Sequence, residues 1–364
     1  MQSKKFFPIG FDVRMATYSG IGTTIDGFLS NLSDERLERM CLIRSRNWTG
    51  SYHVESLESK YPVYSITQHF YLGKWLNSLN LGLYHMPHFD VPLGYRGKLV
   101  ITIHDLIHLL FPQYSSYPLA NLYAKVVMRN AVERADQIIV VSNNTKHDLC
   151  YFFPEVAHKI AVVYPAVAPD FFPLDKQDGH DVLERLKIPR EFFLYVGNLR
   201  KSKNTPFLIN TYLNLKKKIR DLPPLVLVGK NFLKEYELGM PDGIIYLGQL
   251  TKDELIALYS TCMGFIFPSL YEGFGLPPLE AMACGAPVIT SNVSSIPEVC
   301  QDAAIYIDPK SPESLEKAIQ SFLDSEELRK NLRSKGFLNV KRFSWQTFTD
   351  KTWNIYKDVL GEKL

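Results

Sequence analysis

Cysteine is scarce in this chain of 364 residues and follows no recognisable pattern. The five cysteines are Cys41, Cys150, Cys262, Cys284 and Cys300. Their number is odd, and none of them has the CxxC or Cys/His spacing of a zinc site. The sequence therefore argues against a disulfide framework and a cysteine-ligated metal, and it predicts reduced thiols in a cytosolic compartment.

Long hydrophobic runs are also missing. No uninterrupted apolar segment approaches the length needed to cross a bilayer. Residues 1–6 are followed by Pro8, Gly10 and Asp12 rather than by the apolar core of a signal peptide. The expected location is cytoplasmic, with peripheral contact at the inner face of the membrane as an open alternative.

Charge of one sign is not concentrated anywhere in the chain, and the formal net charge is only +3. A surface that tracks phosphates along a nucleic acid usually needs a dense basic stripe, so no nucleic-acid partner is predicted. The densest basic run comprises Lys216, Lys217, Lys218 and Arg220, on a predicted helix. We interpret this run as a solvated face rather than as a contact with an anionic membrane.

Apolar residues are plentiful: 46% of the chain is hydrophobic and 13% aromatic. With this length, they predict two packed domains. The second half contains six short apolar runs, at 192–197, 224–229, 243–248, 264–269, 287–292 and 304–308. Segments that begin with helix-capping residues lie between these runs. Thr251 and Glu254, for example, have the spacing of a capping box, which predicts the start of a helix. This alternation indicates a parallel sheet covered on both faces, which is a doubly wound α/β domain.

The first half repeats the pattern more loosely. Its apolar runs lie at 6–13, 40–45, 63–66, 83–87, 98–105, 137–142 and 160–166, with helices predicted after Gly22 and from about 117 to 135. We place an N-terminal Rossmann-like domain at 1–167, a linker rich in Pro, Asp and Gly at 168–185, and a C-terminal Rossmann-like domain at 186–343. Two such domains are expected to face one cleft, because ligands bind outside the carboxyl ends of the strands.

Two strand ends in the first half carry candidate residues. Gly20 and Gly22 follow the first strand, where glycines let the backbone approach a phosphate closely, although a simple tight turn explains them equally well. Ile25 occupies the place of the third glycine in a dinucleotide fingerprint. His104 and Asp105 follow the fifth strand, where they could bind a metal, transfer a proton or cap the next segment.

The first strand of the second half is followed by a basic turn that contains Arg200, Lys201 and Lys203. Three cations at the start of a helix suit a diphosphate, because the point charges and the helix dipole act on the same anion. A solvated basic turn is the equally weighted alternative.

The stretch 271–288 reads YEGFGLPPLEAMACGAPV and is the most specific feature of the chain. Gly273 and Gly275 give the backbone freedom and Pro277 begins a helix. Glu272 is predicted in the loop and Glu280 in the first helical turn. Two such carboxylates could be a glycosidase acid and base, metal ligands or acceptors for the hydroxyls of a sugar and a ribose, and spacing alone does not choose among these.

Together these motifs resemble glycosyltransferase family 4, the retaining transferases of GT-B fold. The E-x7-E element from Glu272 to Glu280 carries most of the resemblance. Residues 281–288 and 296–299 continue that match in the second domain. The first domain matches mainly through the Gly20 to Gly22 loop and residues 104–106 and 141–146. The resemblance implies two doubly wound domains that face a cleft, and a C-terminal helix, residues 344–364, that packs back on the first domain.

The resemblance also implies the role of each matching residue. Arg200 and Lys203 would neutralise the leaving diphosphate, Glu272 would touch the sugar and Glu280 would hold the ribose. Further donor contacts are implied for Gly20, Gly22, Gly273, Phe274, Gly275 and Leu276, and His104 would stand near the reaction centre. Ser202 departs from the pattern, because many members place arginine before the lysine of the basic turn.

The implied activity is transfer of a sugar from a nucleotide-sugar, with retained anomeric configuration, to the hydroxyl of an oligosaccharide or a lipid-linked acceptor. The chain has no DxD element and no other metal cluster, so we expect activity without a metal or a cofactor. The first-domain motifs look most like those of bacterial mannosyltransferases that build surface polysaccharide, which favours GDP-mannose as the donor. A UDP- or dTDP-sugar is the alternative donor. An NAD-dependent oxidoreductase and a non-catalytic sugar-binding module are the alternatives from other classes.

Overall fold

The computed structural model of the protein describes residues 5–50, 52–114, 120–233 and 239–361. The chain divides into two compact units. Unit 1 combines Met1–Ala166 with Phe343–Leu364, and unit 2 is Val167–Arg342. Each unit contains one parallel sheet with helices, as the alternation of apolar runs predicts.

The sheet of unit 1 has seven parallel strands in the order β3-β2-β1-β4-β5-β6-β7. The strands are β1 (Phe7–Asp12), β2 (Met40–Arg44), β3 (Glu55–Glu58), β4 (Leu81–Met86), β5 (Lys98–Ile103), β6 (Gln137–Val140) and β7 (Ile160–Val162). The helices are α1 (Ser19–Leu29), α2 (Asp34–Glu38), α3 (Gly73–Ser78), α4 (Ile107–Leu110), α5 (Ala120–Arg134) and α6 (Asn143–Phe152). A π-helical turn spans Gln68–Leu72, and 3-10 turns span Pro112–Tyr114 and Pro154–Lys159.

The sheet of unit 2 has six parallel strands in the order β10-β9-β8-β11-β12-β13. The strands are β8 (Phe193–Val196), β9 (Leu225–Val228), β10 (Ile244–Gly248), β11 (Gly264–Phe267), β12 (Val288–Ser291) and β13 (Ala304–Ile307). The helices are α7 (Lys176–Leu186), α8 (Thr205–Lys218), α9 (Lys252–Thr261), α10 (Leu276–Ala283), α11 (Ile296–Cys300), α12 (Pro312–Asp324) and α13 (Glu326–Val340). Short 3-10 turns span Lys201–Lys203 and Gln301–Ala303. The central strands β8, β9, β11 and β12 are almost wholly buried, which explains their near-continuous apolar sequence.

The last helix, α14 (Trp345–Leu360), returns to unit 1 and packs on α1 and β4. Its Trp345 ring covers Gly27 of α1 so closely that a Cβ atom there would lie 2.4 Å from the ring. The hydroxyl of Tyr356 hydrogen-bonds to Nδ1 of His85 inside the core, and Arg36 pairs with Asp350 at 2.6 Å on the surface. The C-terminal segment is therefore an integral part of the first unit.

Three predicted boundaries were wrong. The run 63–66 is not a strand: Tyr64 has a left-handed φ of 58°, and the third strand of the sheet is the earlier segment Glu55–Glu58. The predicted linker 168–185 contains α7, which packs on α9 and buries Leu183. The first helix begins at Ser19 instead of after Gly22, because the amide of Gly22 already donates a helical hydrogen bond to the carbonyl of Tyr18.

Candidate active site

Both sheets reverse their strand order at one point, between β1 and β4 in unit 1 and between β8 and β11 in unit 2. In open α/β sheets, ligands bind at such a switch point because the loops that follow the two strands leave in opposite directions. In unit 2 these loops are the basic turn after β8 and the E-x7-E loop after β11. The two most specific motifs of the sequence therefore meet at the carboxyl edge of neighbouring strands.

The basic turn is a single 3-10 turn that ends in an αL residue, Asn204, whose φ is 60°. The amide of Asn204 closes the turn on the carbonyl of Lys201, and its side chain donates to the carbonyl of Pro309 at 2.7 Å. Helix α8 then begins at Thr205. This anchored turn fixes the direction in which the three cations leave the sheet.

The three cations of the turn have different surroundings. The guanidinium of Arg200 lies 4.0 Å from the ring centroid of Phe232, an exposed aromatic side chain, in a cation–π contact. Lys201 is exposed. The ammonium of Lys203 instead points to the neighbouring loop, where it contacts both carboxylate oxygens of Glu272, at 2.7 and 2.9 Å.

The Lys203–Glu272 ion pair joins residues 69 positions apart in the chain. Glu272 is also held by the hydroxyl of Ser269, which donates to its Oε1 at 2.5 Å. The carboxylate side chain is only 11% exposed, so this pair is screened less by solvent than a surface pair. The family resemblance implies a cation at the phosphate and a carboxylate at the sugar, and the structure shows that these two groups are in direct contact.

A set of serines in the next loop holds the E-x7-E backbone in place. Ser294 accepts a hydrogen bond from the amide of Glu272 at 3.0 Å. Ser295 donates to the carbonyls of Glu272 and Phe274, at 2.9 and 2.8 Å. Ser294 itself adopts a left-handed φ of 55°, which is unusual for a residue other than glycine. The loop that carries Glu272, Gly273, Phe274 and Gly275 is therefore fixed from both sides.

Helix α10 begins directly after Gly275, whose φ of 106° favours glycine. The next helical residues are Leu276, Pro277 and Pro278. A helix start leaves four N–H groups without helical partners, and the two prolines remove two of these donors. The capacity of this helix start to hold an anion therefore depends on the amides of the preceding loop and of Leu276.

Glu280 is the fifth residue of α10, one residue beyond the first helical turn in which it was predicted. The helix begins at Leu276, one residue before the predicted start at Pro277, and this shift moves Glu280 out of the first turn. The hydroxyl of Tyr259 donates to Oε2 of Glu280 across 3.4 Å, and among the described residues no lysine or arginine forms an ion pair with it. Burial raises the pKa of this carboxyl to about 7. Glu280 is thus an acid poised to change its charge near neutral pH.

The two glycines of unit 1 differ in what surrounds them. A Cβ atom on Gly22 would lie 2.1 Å from the carbonyl oxygen of Ala16, so this position has a structural need for glycine. A Cβ atom on Gly20 would meet no atom within 4 Å. The space beside Gly20, in the first turn of α1, is therefore open to a ligand.

The loop before α1 is fixed by a buried ion pair at the end of β1. The guanidinium of Arg14 contacts the carboxylate of Asp12 at 2.8 Å and donates to the carbonyl of Tyr61 at 2.7 Å. The hydroxyl of Tyr84 donates to the same carboxylate. Arg14 gave no signal in the sequence, because a single charged residue after a strand is most often exposed.

His104 follows β5, and its Nε2 lies 3.2 Å from the carbonyl oxygen of Pro87. Because a carbonyl only accepts, Nε2 carries the hydrogen and Nδ1 is the acceptor. Burial lowers the pKa of the imidazole, with Asp105 opposing that effect, so His104 is neutral at pH 7. It offers a hydrogen-bond acceptor to a ligand hydroxyl.

His85 and His88 of unit 1 are buried. Nε2 of His85 contacts the hydroxyl of Thr102 at 2.9 Å, and His88 accepts a hydrogen bond from the amide of Asp90 at 3.1 Å. Burial lowers the pKa of each ring to about 3. Both are neutral components of the packed core.

Among the residues that the structure describes, no group of three or more His, Cys, Asp or Glu could hold a metal ion. Likewise, no described helix is long and apolar enough to cross a membrane. Metal-independent activity stays a prediction.

Two doubly wound units, the second with a basic turn and an E-x7-E loop at its switch point, are typical of GT-B glycosyltransferases. Comparison with known proteins supports this assignment. Residues 20–171 match the family model described as Glycosyltransferase Family 4, and residues 183–338 match the one described as Glycosyl transferases group 1. In fold, sucrose-phosphate synthase from Thermosynechococcus elongatus is similar, with a TM-score of 0.75 at 18% identity over 97% of this chain and 99% of that one.

Two curated relatives are similar in sequence. The O-antigen chain mannosyltransferase B of Escherichia coli is 31% identical over 283 residues, which cover 76% of this chain and 74% of that protein. The serotype-specific mannosyltransferase WbdA of Escherichia coli is 31% identical over 274 residues, 71% of this chain but only 33% of that longer protein. The chain belongs to glycosyltransferase family 4. The predicted fold class and enzyme class are confirmed, and the oxidoreductase and binding-module alternatives are set aside.

Proposed function

We propose that this glycosyltransferase moves mannose from GDP-mannose to a hydroxyl of an oligosaccharide or lipid-linked acceptor during the synthesis of a surface polysaccharide, with retention of the anomeric configuration. The observation that carries the donor and the pathway class is the 31% identity with an O-antigen chain mannosyltransferase over three quarters of the chain. Retention and the absence of a metal requirement come from the family resemblance.

The site supports this chemistry mainly through electrostatics. When the bond between the sugar C1 and the phosphate oxygen breaks, negative charge develops on the leaving diphosphate, and fixed cations stabilise it. Lys203 is the central candidate, with Arg200 beside it in the same turn. The acceptor oxygen forms the new bond to C1 on the same face, and the leaving phosphate oxygen takes the acceptor proton. No side-chain nucleophile is needed in this scheme.

In the free protein, the charges of Lys203 and Glu272 offset each other before the donor binds. In the proposed complex, the ammonium group of Lys203 also donates hydrogen bonds to the diphosphate. One carboxylate oxygen of Glu272 then accepts a hydrogen bond from a sugar hydroxyl. Glu280 accepts from the ribose, and Gly273 to Leu276 supply backbone contacts. The family resemblance implies further contacts by His104, Gly20 and Gly22. The roles of these residues stay predictions that substitution can test.

The donor is tested directly with the purified protein. Thermal unfolding is measured with GDP-mannose, GDP, UDP-glucose and a dTDP-sugar, because a ligand that binds only the folded state stabilises it by mass action. We expect stabilisation by GDP and GDP-mannose alone. Selective stabilisation by a UDP- or dTDP-sugar would exclude mannose transfer from GDP-mannose.

The reaction is tested with a mannose-terminated oligosaccharide as acceptor. GDP release should depend on the acceptor and persist in excess EDTA, and the product linkage should be axial at C1 by NMR, as it is in GDP-α-mannose. A β-linked product would overturn retention, and EDTA inhibition reversed by a divalent cation would overturn metal independence.

The cation is tested by Lys203→Ala against Lys201→Ala, a matched change at an exposed lysine of the same turn. A charge-assisted hydrogen bond contributes about 1.5 to 3 kcal/mol, so we expect Lys203→Ala to weaken GDP binding about ten-fold or more and Lys201→Ala to change it little. Equal effects would show that the turn acts as a diffuse charge, without a specific phosphate contact by Lys203.

The two carboxylates are separated by the same measurements. We expect Glu272→Gln to lower turnover with little loss of GDP affinity, because it removes the charge that competes for Lys203. Glu280→Ala should chiefly weaken GDP binding. Equal losses of GDP affinity in both variants would contradict this division of roles.

A further inference from the structure

An exposed phenylalanine lies beside the basic turn of unit 2. Phe232 follows β9 and is 51% exposed. Single exposed apolar side chains are common on protein surfaces, but this ring covers the guanidinium of Arg200, whose central carbon lies 4.0 Å from the ring centroid. Arg200 is one of the cations assigned to the diphosphate in the proposed reaction. The contact therefore concerns a residue that is expected to bind the donor.

Backbone hydrogen bonds join the loops that carry these two side chains. The amide of Leu199 donates to the carbonyl of Lys230 at 2.8 Å, and the amide of Phe232 donates to the carbonyl of Leu199 at 3.1 Å. Leu199 and Asn231 also form a parallel bridge. The loop after β9 thus continues the pairing of β8 with β9 as far as the basic turn. The backbone itself brings Phe232 and Arg200 together.

Residues on either side of Phe232 fix the same loop. Leu233 is buried, and its amide donates to the side chain of Asn231 at 2.9 Å. Gly229 has a φ of 133°, and a Cβ atom there would lie 2.1 Å from the carbonyl oxygen of Gly197. Only glycine allows the two loops to approach each other so closely. The aromatic ring is therefore held at a defined place beside the basic turn.

The kind of contact determines what Arg200 can still bind. A cation–π contact uses the face of the guanidinium, whereas the five N–H donors lie at its edge, in the plane of the group. No carboxylate pairs with Arg200 in the part of the chain that the structure describes. Lys203 is different, because its ammonium already donates to both oxygens of Glu272. Arg200 is thus restrained by a contact that leaves its donors to an anion.

This restraint favours anion binding for two reasons. A long arginine side chain loses rotamer freedom when it binds an anion, and a contact that already limits this freedom reduces the loss. The ring also shields one face of the guanidinium from water, and a charge attracts a diphosphate more strongly where solvent screens it less. An aliphatic side chain of similar size would lack the attraction between an aromatic face and a cation.

We infer that Phe232 is a positioning residue for donor binding, because it holds the guanidinium of Arg200 ready to contact the diphosphate. Phe232 acts through Arg200 and contacts no reacting atom. The inference rests on the proposed function only for the diphosphate of the donor. It is independent of which base and which sugar the donor carries.

A double-mutant cycle on the full chain tests this inference. Binding of GDP and, in parallel, of UDP is measured by calorimetry for the unchanged protein, Phe232→Ala, Arg200→Ala and the double variant. An exposed cation–π contact corresponds to a factor of about two to five in affinity, so Phe232→Ala should weaken binding by that factor. In the Arg200→Ala background the same change should have no further effect, because the residue through which Phe232 acts is absent.

Two further substitutions distinguish the aromatic face from apolar bulk. Phe232→Tyr keeps the face and should bind as the unchanged protein does, whereas Phe232→Leu should weaken binding about as much as Phe232→Ala. The control is Phe172→Ala, at another phenylalanine of unit 2, which is 53% exposed. This control should leave binding unchanged, and thermal unfolding confirms that all variants are folded.

Three results would overturn the inference. They are equal losses from Phe232→Ala with and without Arg200, full affinity in Phe232→Leu, and an equal loss in Phe172→Ala. The donor proposal fails separately, because binding of UDP alone would exclude GDP-mannose while the cycle is evaluated with UDP. Binding of GDP without coupling between Phe232 and Arg200 would overturn the positioning role alone. Binding of neither nucleotide would overturn both.

Discussion

The substitution Glu280→Gln should stabilise the protein above neutral pH while it weakens nucleotide binding. The carboxyl of Glu280 is buried in α10 next to Tyr259, and burial raises its pKa from the ordinary 4.5 to about 7. A raised pKa means that the folded protein holds a proton that the unfolded chain has already released. The ionised carboxylate therefore lowers the free energy of unfolding, and the uncharged glutamine does not.

The magnitude follows from the two pKa values. Below about pH 4.5 both states are protonated and the carboxyl has no effect on stability. As pH rises from about 4.5 to about 7, stability is lost, and above 7 the loss is complete. Each pH unit between the two pKa values corresponds to about 1.4 kcal/mol, so the total reaches roughly 3 kcal/mol. In a unit of this size, that amounts to about 6 to 12 °C in the unfolding temperature.

The assay is thermal unfolding of the unchanged protein and of Glu280→Gln between about pH 5 and pH 8.5. We expect the curves to meet at low pH and to diverge as pH rises, with the variant more stable. The control is Glu254→Gln in the capping box of α9, where Thr251 donates to the carboxylate and holds its pKa below the ordinary value. That variant should be less stable than the unchanged protein at pH 8.

A constant stability difference between the two proteins at every pH would refute the reasoning, because it would show that Glu280 does not change its protonation on folding. The pH dependence of GDP affinity is measured together with thermal unfolding. GDP affinity of the unchanged protein should increase as pH rises through about 7, since the carboxylate accepts ribose hydroxyls better than the acid does. Glu280→Gln should lose that dependence, and a retained dependence would assign it to another group.

Three further outcomes are expected. Gly22→Ala should destabilise unit 1, because its methyl group would lie 2.1 Å from a backbone oxygen, whereas Gly20→Ala should fold normally and lower donor turnover. Ser295→Ala should cost about 1 to 3 kcal/mol in thermal unfolding and also lower turnover, because it frees two carbonyls of the E-x7-E loop. Gly27→Ala should displace the Trp345 ring and increase proteolysis of the C-terminal helix, with little change in GDP affinity.

Each of these outcomes has a clear contrary result. Equal unfolding temperatures for the two glycine variants would show that the loop before α1 yields to a methyl group at Gly22. Full turnover in Gly20→Ala would remove this glycine from the donor site. Unchanged stability in Ser295→Ala would mean that the loop is fixed by other contacts, and a protease-resistant Gly27→Ala would mean that α14 repacks without loss.

The sequence predicts the second unit more accurately than the first, for a physical reason. All six of its strands lie within predicted apolar runs, because central strands of a parallel sheet are buried on both faces. The missed strand of unit 1, Glu55–Glu58, is at the edge of its sheet and begins and ends with exposed carboxylates. An edge strand of this composition carries no apolar signal.

In the candidate site too, some features could be predicted from the sequence and others could not. Glu272, Glu280 and the basic turn were found because their residue types and spacing are local properties. The contact of Lys203 with Glu272 was not predicted, since the partners are 69 residues apart and meet only because β11 pairs directly with β8. The support of the loop by Ser295 was missed because a single serine has no distinguishing pattern.

The sequence by itself determined two doubly wound domains, the glycosyltransferase family and the motifs that follow the strands, because periodicity, turn residues and motif spacing are written along the chain. Only the tertiary structure decided how Glu272 is neutralised and why Glu280 has a raised pKa. These properties depend on burial and on neighbours distant in sequence. The strand order of the folded sheets determines which residues are buried and which distant residues become neighbours.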